Sequence, residues 1–136
     1  MLDDAAATTL RARAREATAN AYVPYSRFPV GAALLTEDGT IVAGANIENA
    51  SFGLTCCAER TAVFAAVAAG HRVITAIAVT APRVETVTPC GACRQVLNEF
   101  KPADADMLVL LDGPEQEIVP LRDLLPRAFG PRDLDE

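Results

Sequence analysis

Two short cysteine-bearing segments constrain this chain more than anything else in it: Cys57-Ala58-Glu59, and Pro89-Cys90-Gly91-Ala92-Cys93. Each opens a helical pattern. From Cys57 to Ala69 the residues are apolar on nearly every side (Ala58, Ala62, Val63, Phe64, Ala65, Ala66, Val67), and Gly70 is placed to cap the run, which predicts a helix buried all round. A second helix is predicted from Cys90 to about Phe100, ended by Pro102. A thiolate at a helix N-terminus faces unpaired backbone N–H groups and the positive end of the helix dipole, which lowers its pKa and readies it for a metal ion. A fold that brings these two helix starts together gathers three thiolates from distant parts of the chain.

The remaining segments supply a frame for that convergence. Residues 4–21 place Leu10, Ala14, Ala17 and Ala21 at helical spacing with arginines between them, so a first helix can bury one stripe. Val30 to Leu35 and Ile41 to Ala45 form a predicted hairpin across Glu37-Asp38-Gly39. Val73 to Thr80 and Met107 to Leu111 read as strands buried between two layers of helices. Asp112-Gly113 turns the chain into a short strand near Glu117 to Val119, and Leu121 to Leu125 form a last helical turn before Pro126. The order is helix, two strands, helix, strand, helix, two strands. It predicts an α/β fold: a mixed five-stranded sheet covered by helices on both faces, in three layers, with right-handed crossovers through the middle helices. A chain of 136 residues without repeat, linker or low-complexity segment is expected to form one domain, residues 1–136.

Charge and cysteine usage narrow the function. Twelve basic against 18 acidic residues give a net charge of −6, which disfavours nucleic acid or an anionic membrane as partner and favours a small ligand. Apolar runs are short and no export signal is visible, so an intracellular, cytoplasmic protein is expected. Four cysteines in that setting point to metal or redox chemistry rather than disulfides.

Three sulfur ligands, Cys57, Cys90 and Cys93, leave the fourth tetrahedral position of a Zn²⁺ ion for water, the arrangement of a catalytic rather than a structural zinc. Glu59 lies two residues past Cys57, about 200° around an ideal helix, but in the first turn it can stand beside the metal without binding it and act as general acid and base. A glutamate followed by P-C-x-x-C, with three cysteine ligands allowed, is the signature of zinc base deaminases. Cys56 points about 100° from Cys57 and lacks the one-residue spacing to Glu59, so it is read as a buried bystander. The lone His71, after Gly70, is read as solvated. Zn²⁺ with three thiolates is net negative, so a guanidinium on a ligand sulfur would offset the excess; Arg60 is the first candidate and Arg94 the second, with a surface ion pair the plain alternative for each.

These residues resemble the small, homotetrameric cytidine deaminases over nearly the whole chain. The likeness runs through Ala21-Tyr22-Val23-Pro24-Tyr25-Ser26-Arg27-Phe28-Pro29-Val30-Gly31-Ala32, then Asn46 to Phe52, Cys57 to Ala62, Pro89 to Gln95, and Leu124 to Phe129, in the same order. The resemblance implies the cytidine-deaminase-like fold, one zinc ion per subunit on Cys57, Cys90 and Cys93, and Glu59 as proton shuttle. It implies a homotetramer with shared active sites that converts cytidine and deoxycytidine to the uracil nucleosides with release of ammonia, a step of pyrimidine salvage. Asn46 and Glu48 resemble the pair that binds the ribose hydroxyls, and their chemistry suits it, since an amide donates and accepts while a carboxylate accepts from a sugar O–H. Phe28 resembles the aromatic lining the base pocket, and Ala58 joins it in the substrate-binding set. The Thr88 carbonyl is placed to receive the amino group, and Phe129 resembles the tail aromatic laid over the base in a neighbouring subunit's site.

Three other readings share part of the pattern. Blasticidin-type deaminases share the C-A-E and P-C-G-x-C pieces, but the Asn46/Glu48 pair and Arg60-Thr61-Ala62 favour a plain nucleoside. Polynucleotide deaminases use the same chemistry on a flipped base and sit poorly with an acidic chain. A structural zinc module would require a fourth protein ligand and would leave Glu59 without a task.

Overall fold

The computed structural model describes residues 2–134. Helix α1 (Asp4–Ala17) starts at Asp3, whose side chain accepts a bond from the Ala6 N–H, and runs into a 3-10 turn at Thr18–Asn20. The hairpin follows as β1 (Gly31–Thr36) and β2 (Ile41–Ala45), and its turn is closed by Gly39 at φ 90°, a conformation that favours glycine. Then come α2 (Ala58–Ala68), β3 (Ile74–Thr80), α3 (Gly91–Glu99), β4 (Leu108–Leu111), β5 (Glu117–Pro120) and the single turn α4 (Leu121–Leu124). Gly70 ends α2 in the left-handed region, φ 103°, as its place after the apolar run predicts.

The five strands form one mixed sheet in the order β2-β1-β3-β4-β5. β1 is antiparallel to both β2 and β3, so β2 and β3 run parallel; β3 and β4 are parallel and β5 returns antiparallel. Strand alternation divides the sheet side chains between two layers. On one face Ala33, Ala76, Ala78 and Leu110 pack against Ala7, Leu10 and Ala14 of α1. On the other, Ala32, Leu34, Ile77, Val79, Val109 and Leu111 meet Ala58, Ala62, Val63 and Ala66 of α2 and Leu97 of α3. This is the three-layer arrangement expected from the order of elements.

Helix–sheet spacing is set by two missing side chains. A Cβ on Gly31 would collide with the carbonyl oxygen of Ala14, and one on Gly44 would lie 2.5 Å from both the Ala62 nitrogen and Thr61 Oγ1 and 2.7 Å from the Ala58 oxygen. Gly31 thus lets α1 settle on β1, and Gly44 lets the first turns of α2 lie directly on β2.

One expectation about α2 needs correction. Its inner face is buried, but Phe64 is 51% exposed and Ala65 and Ala68 are open to solvent. The sheet covers one side of the helix and α3 packs beside it, while among the described residues the side bearing Phe64, Ala65 and Ala68 is left open. His71 stands beside Asp38 at 3.8 Å, partly buried rather than fully solvated. Among the described residues no helix is long and apolar enough to cross a membrane.

The sheet ends nearest the cysteines are fastened by an ion pair. Asp112, just past β4, accepts from Arg15 Nε at 2.8 Å and Nη2 at 2.6 Å, and from Thr80 Oγ1 at 3.0 Å. The Arg15 bond first, with help from Thr80, holds the Asp112 carboxyl below its usual range. We expect Asp112→Asn to lose about 1–2 kcal/mol at neutral pH, between an exposed and a buried pair because Arg15 is half in water. A group with a depressed folded pKa stabilises above its unfolded value of about 4 and loses that contribution as pH falls through the folded value. The stability gap between wild type and variant, measured by urea unfolding, should therefore be constant above about pH 5 and shrink as pH falls below it.

Candidate metal centre and active site

The parallel pair β2 and β3 determines where the chemistry assembles. Both strands end at the same side of the sheet, and the helix that follows each begins there, after the loops 46–57 and 81–90. Cys57 is the N-cap of α2 and Cys90 that of α3, both extended, and neither sulfur caps its own helix, so each is free to face the other. Cys93 follows in the first turn of α3, buried. Cys57 Sγ lies 3.8 Å from Cys90 Sγ, Cys90 Sγ lies 3.4 Å from Cys93 Sγ, and all three fall within 4.8 Å of one another. Tetrahedral zinc with Zn–S bonds of about 2.3 Å sets its sulfurs about 3.8 Å apart, so this donor set fits such an ion. Cys56 stays out of the group; its backbone pairs with Ile47 in a two-way bridge.

Electrostatics around the sulfurs are uneven. The Cys93 thiol, then the Arg60 guanidinium, bring Cys57 down to about 5, so Cys57 is a thiolate at neutral pH. Giving its proton toward that thiolate, with burial added, pushes Cys93 up. Arg60 Nη2 donates to Cys57 Sγ at 3.4 Å, and this contact raises its own pKa further. Glu59, in the first turn of α2, is 4% exposed. Burial pushes its carboxyl up to about 7, and the negative Cys57 adds to the effect. A carboxyl balanced near neutrality beside a metal site can both take and return a proton.

The other residues read from the sequence are distributed differently. Arg94 does not reach the sulfurs: Nε donates to the Pro89 carbonyl at 2.7 Å, Nη1 to the Leu124 carbonyl at 2.8 Å, and Nη2 to Thr88 Oγ1 at 3.4 Å. The role of offsetting cluster charge falls geometrically to Arg60 alone. Ala58 is fully buried at the helix start, Phe28 is half-buried, and Thr88 is exposed on the loop before Cys90. Asn46 and Glu48 stand on loop 46–57, engaged with the facing loop. Asn46 Nδ2 donates to the Phe28 carbonyl at 2.8 Å and its Oδ1 accepts from the Val30 N–H at 2.9 Å. Glu48 Oε1 accepts from the Tyr25 and Ser26 N–H groups, and the Ser26 side chain chiefly lowers its pKa. Both residues therefore shape the loop that carries Phe28. The Phe129 ring is 59% exposed. Two residues to which the sequence reading gave no role, Gln95 and Asn98, donate to the Phe129 carbonyl at 2.9 and 3.2 Å. The available signal was a polar Asn98 on the face that α3 turns inward, where it is 5% exposed.

Residues 5–109, which include the sulfur cluster and Glu59, match the family model described as the cytidine and deoxycytidylate deaminase zinc-binding region. The chain belongs to this family. Among its deaminase relatives, the cytidine deaminase of Halalkalibacterium halodurans is 56% identical over 122 residues, 89% of this chain and 92% of that protein. The cytidine deaminase of Mycobacterium tuberculosis is 47% identical over 127 residues, 92% of this chain and 90% of that one. In three dimensions the family member superimposes on the crystal structure of cytidine deaminase from Burkholderia pseudomallei with a TM-score of 0.83 at 46% identity, covering 90% of this chain and 98% of that one. The expected fold and zinc-deaminase family are thereby established for this chain.

A cation beside a thiol lowers its pKa, and removal of that cation raises it. In the zinc-stripped protein we expect alkylation of Cys57 by iodoacetamide, followed by peptide mass spectrometry, to be half-maximal near pH 5 in wild type and about one pH unit or more higher in Arg60→Gln.

Proposed function

We propose that the chain is one catalytic domain that hydrolyses cytidine and deoxycytidine to uridine and deoxyuridine with release of ammonia. The observation that carries this reading is the buried Glu59 carboxyl, pushed to about 7, beside three converging cysteine sulfurs. Cys57, Cys90 and Cys93 would hold zinc, which when bound supplies the Lewis acidity that makes a water molecule nucleophilic at neutral pH. Glu59 takes a proton from that water and delivers it to N3 of the base as the water oxygen bonds to C4. It then carries the second proton to the amino nitrogen, the C4–N bond breaks, and ammonia leaves. Arg60 holds Cys57 in its thiolate form, and the Thr88 carbonyl accepts from the departing amine. Asn46 and Glu48 take the sugar, with Phe28 and Ala58 against the base and Phe129 closing over it. Net charge −6 supports a free nucleoside rather than a polynucleotide as substrate.

The test is ultraviolet-monitored turnover of both nucleosides by zinc-loaded protein. Glu59→Gln should retain zinc and lose at least about 10²-fold in kcat. Inert zinc-loaded wild type on both nucleosides overturns the reading.

The same proposal includes a homotetramer with shared sites, working in cytoplasmic pyrimidine salvage. The open side of α2 supports it, as do the exposed Tyr22, Ile47, Phe52 and Leu54 around the site loops, since contiguous exposed apolar surface marks a contact. Light scattering should return four times the 14.3 kDa of one chain.

A further inference from the structure

The three donors of Arg94 and the amides of Gln95 and Asn98 all point from α3 toward the two segments that flank it. Arg94 lies partly buried between the loop before Cys90, held at Thr88 Oγ1 and the Pro89 carbonyl, and the end of α4, held at the Leu124 carbonyl. That last carbonyl is one a helix end leaves unpaired, so Arg94 completes α4 as well as bridging to it. The chain then turns through Arg127, a non-glycine residue at φ 56°, and comes back onto α3 where Gln95 and Asn98 both bond the Phe129 carbonyl. Contact there is close, since a Cβ on Gly130 would lie 2.9 Å from Asn98 Nδ2.

What this clamp secures is unusual for a folding contact. Side chains hold the tail on both sides of the turn, yet the large ring it presents is mostly in water. A tail docked only for stability would turn Phe129 inward, because burying a phenyl ring contributes about 1.5–3 kcal/mol. Here the backbone is fixed and the ring is left available.

We propose that Arg94, Gln95 and Asn98 are positioning residues that latch the C-terminal tail to the loop before Cys90, setting together where Phe129 and the Thr88 carbonyl stand toward the substrate. The proposal deepens the nucleoside reading and rests on it. Lysine at position 94 keeps the charge but has one nitrogen where three bonds to separated acceptors are needed.

The experiment combines steady-state kinetics on cytidine with amide hydrogen exchange at residues 125–130, for zinc-loaded wild type, Arg94→Lys and Asn98→Ala. The latch predicts faster exchange in the tail of both variants, full zinc content, and KM raised about tenfold or more in both; kcat changes by less than about threefold in Asn98→Ala, which frees only the Phe129 side, and falls by more than that in Arg94→Lys, which also frees the loop bearing the Thr88 carbonyl. Faster tail exchange with unchanged KM, or unchanged exchange in both variants, overturns it. Should Arg94→Lys lose zinc or fail to fold, Asn98→Ala, whose side-chain bond is to the Phe129 carbonyl alone, decides in its place. Wild type inert on cytidine would defeat the nucleoside reading, while the exchange data would still show whether the latch holds the tail.

Discussion

The parallel run of β2 and β3 is the constraint on which the rest of the structure depends. Two strands pointing the same way, each followed by a helix, deliver two helix N-termini to one side of the sheet, and Cys57 and Cys90 occupy those N-terminal positions. Crevices beyond the carboxyl ends of parallel strands are where α/β sheets place ligands. Antiparallel β1 between the pair adds spacing without changing that direction, and so leaves room for the loops that carry Phe28, Asn46 and Glu48.

From this placement the electrical character of the site follows. Cys57, the sulfur at the start of α2, favours the ionised form, and one arginine on the next residue after Glu59 stands against it. Glu59 is on the same turn but turned inward, where loss of water rather than a charged partner governs its proton. Neighbours on one helical turn are thus driven in opposite directions, Cys57 toward the anion and Glu59 toward the acid.

Much of this was legible in the chain itself. Helix and strand placements followed from periodicity and from glycine and proline punctuation, and the cysteine spacing named the cluster, because those signals are local and each carries one physical meaning. Long-range contacts were less visible. Arg94, next to Cys93, reads from sequence as a candidate to balance the sulfurs; on the folded helix it faces the other way, toward carbonyls of segments that no local pattern brings near. Asn46 and Glu48 show polarity, but not that their first partners are the backbone of the loop they face. The all-apolar α2 gave a true count of hydrophobic faces, but not which of them the chain's own sheet covers, since a sheet can cover only one.

Gly44 gives the site its dimensional tolerance. The clearance it creates between β2 and the first turns of α2 is smaller than a methyl group, so the height of Ala58, Glu59 and Thr61 above the sheet is fixed by the helix backbone and the Thr61 hydroxyl resting on the strand rather than by long, compressible side chains. A helix seated in this way cannot sink, and any added atom beneath it must lift it. Glu59 therefore holds its height against a rigid stop, and the freedom to change residue 44 is surrendered by a position that lies outside the sulfur cluster itself.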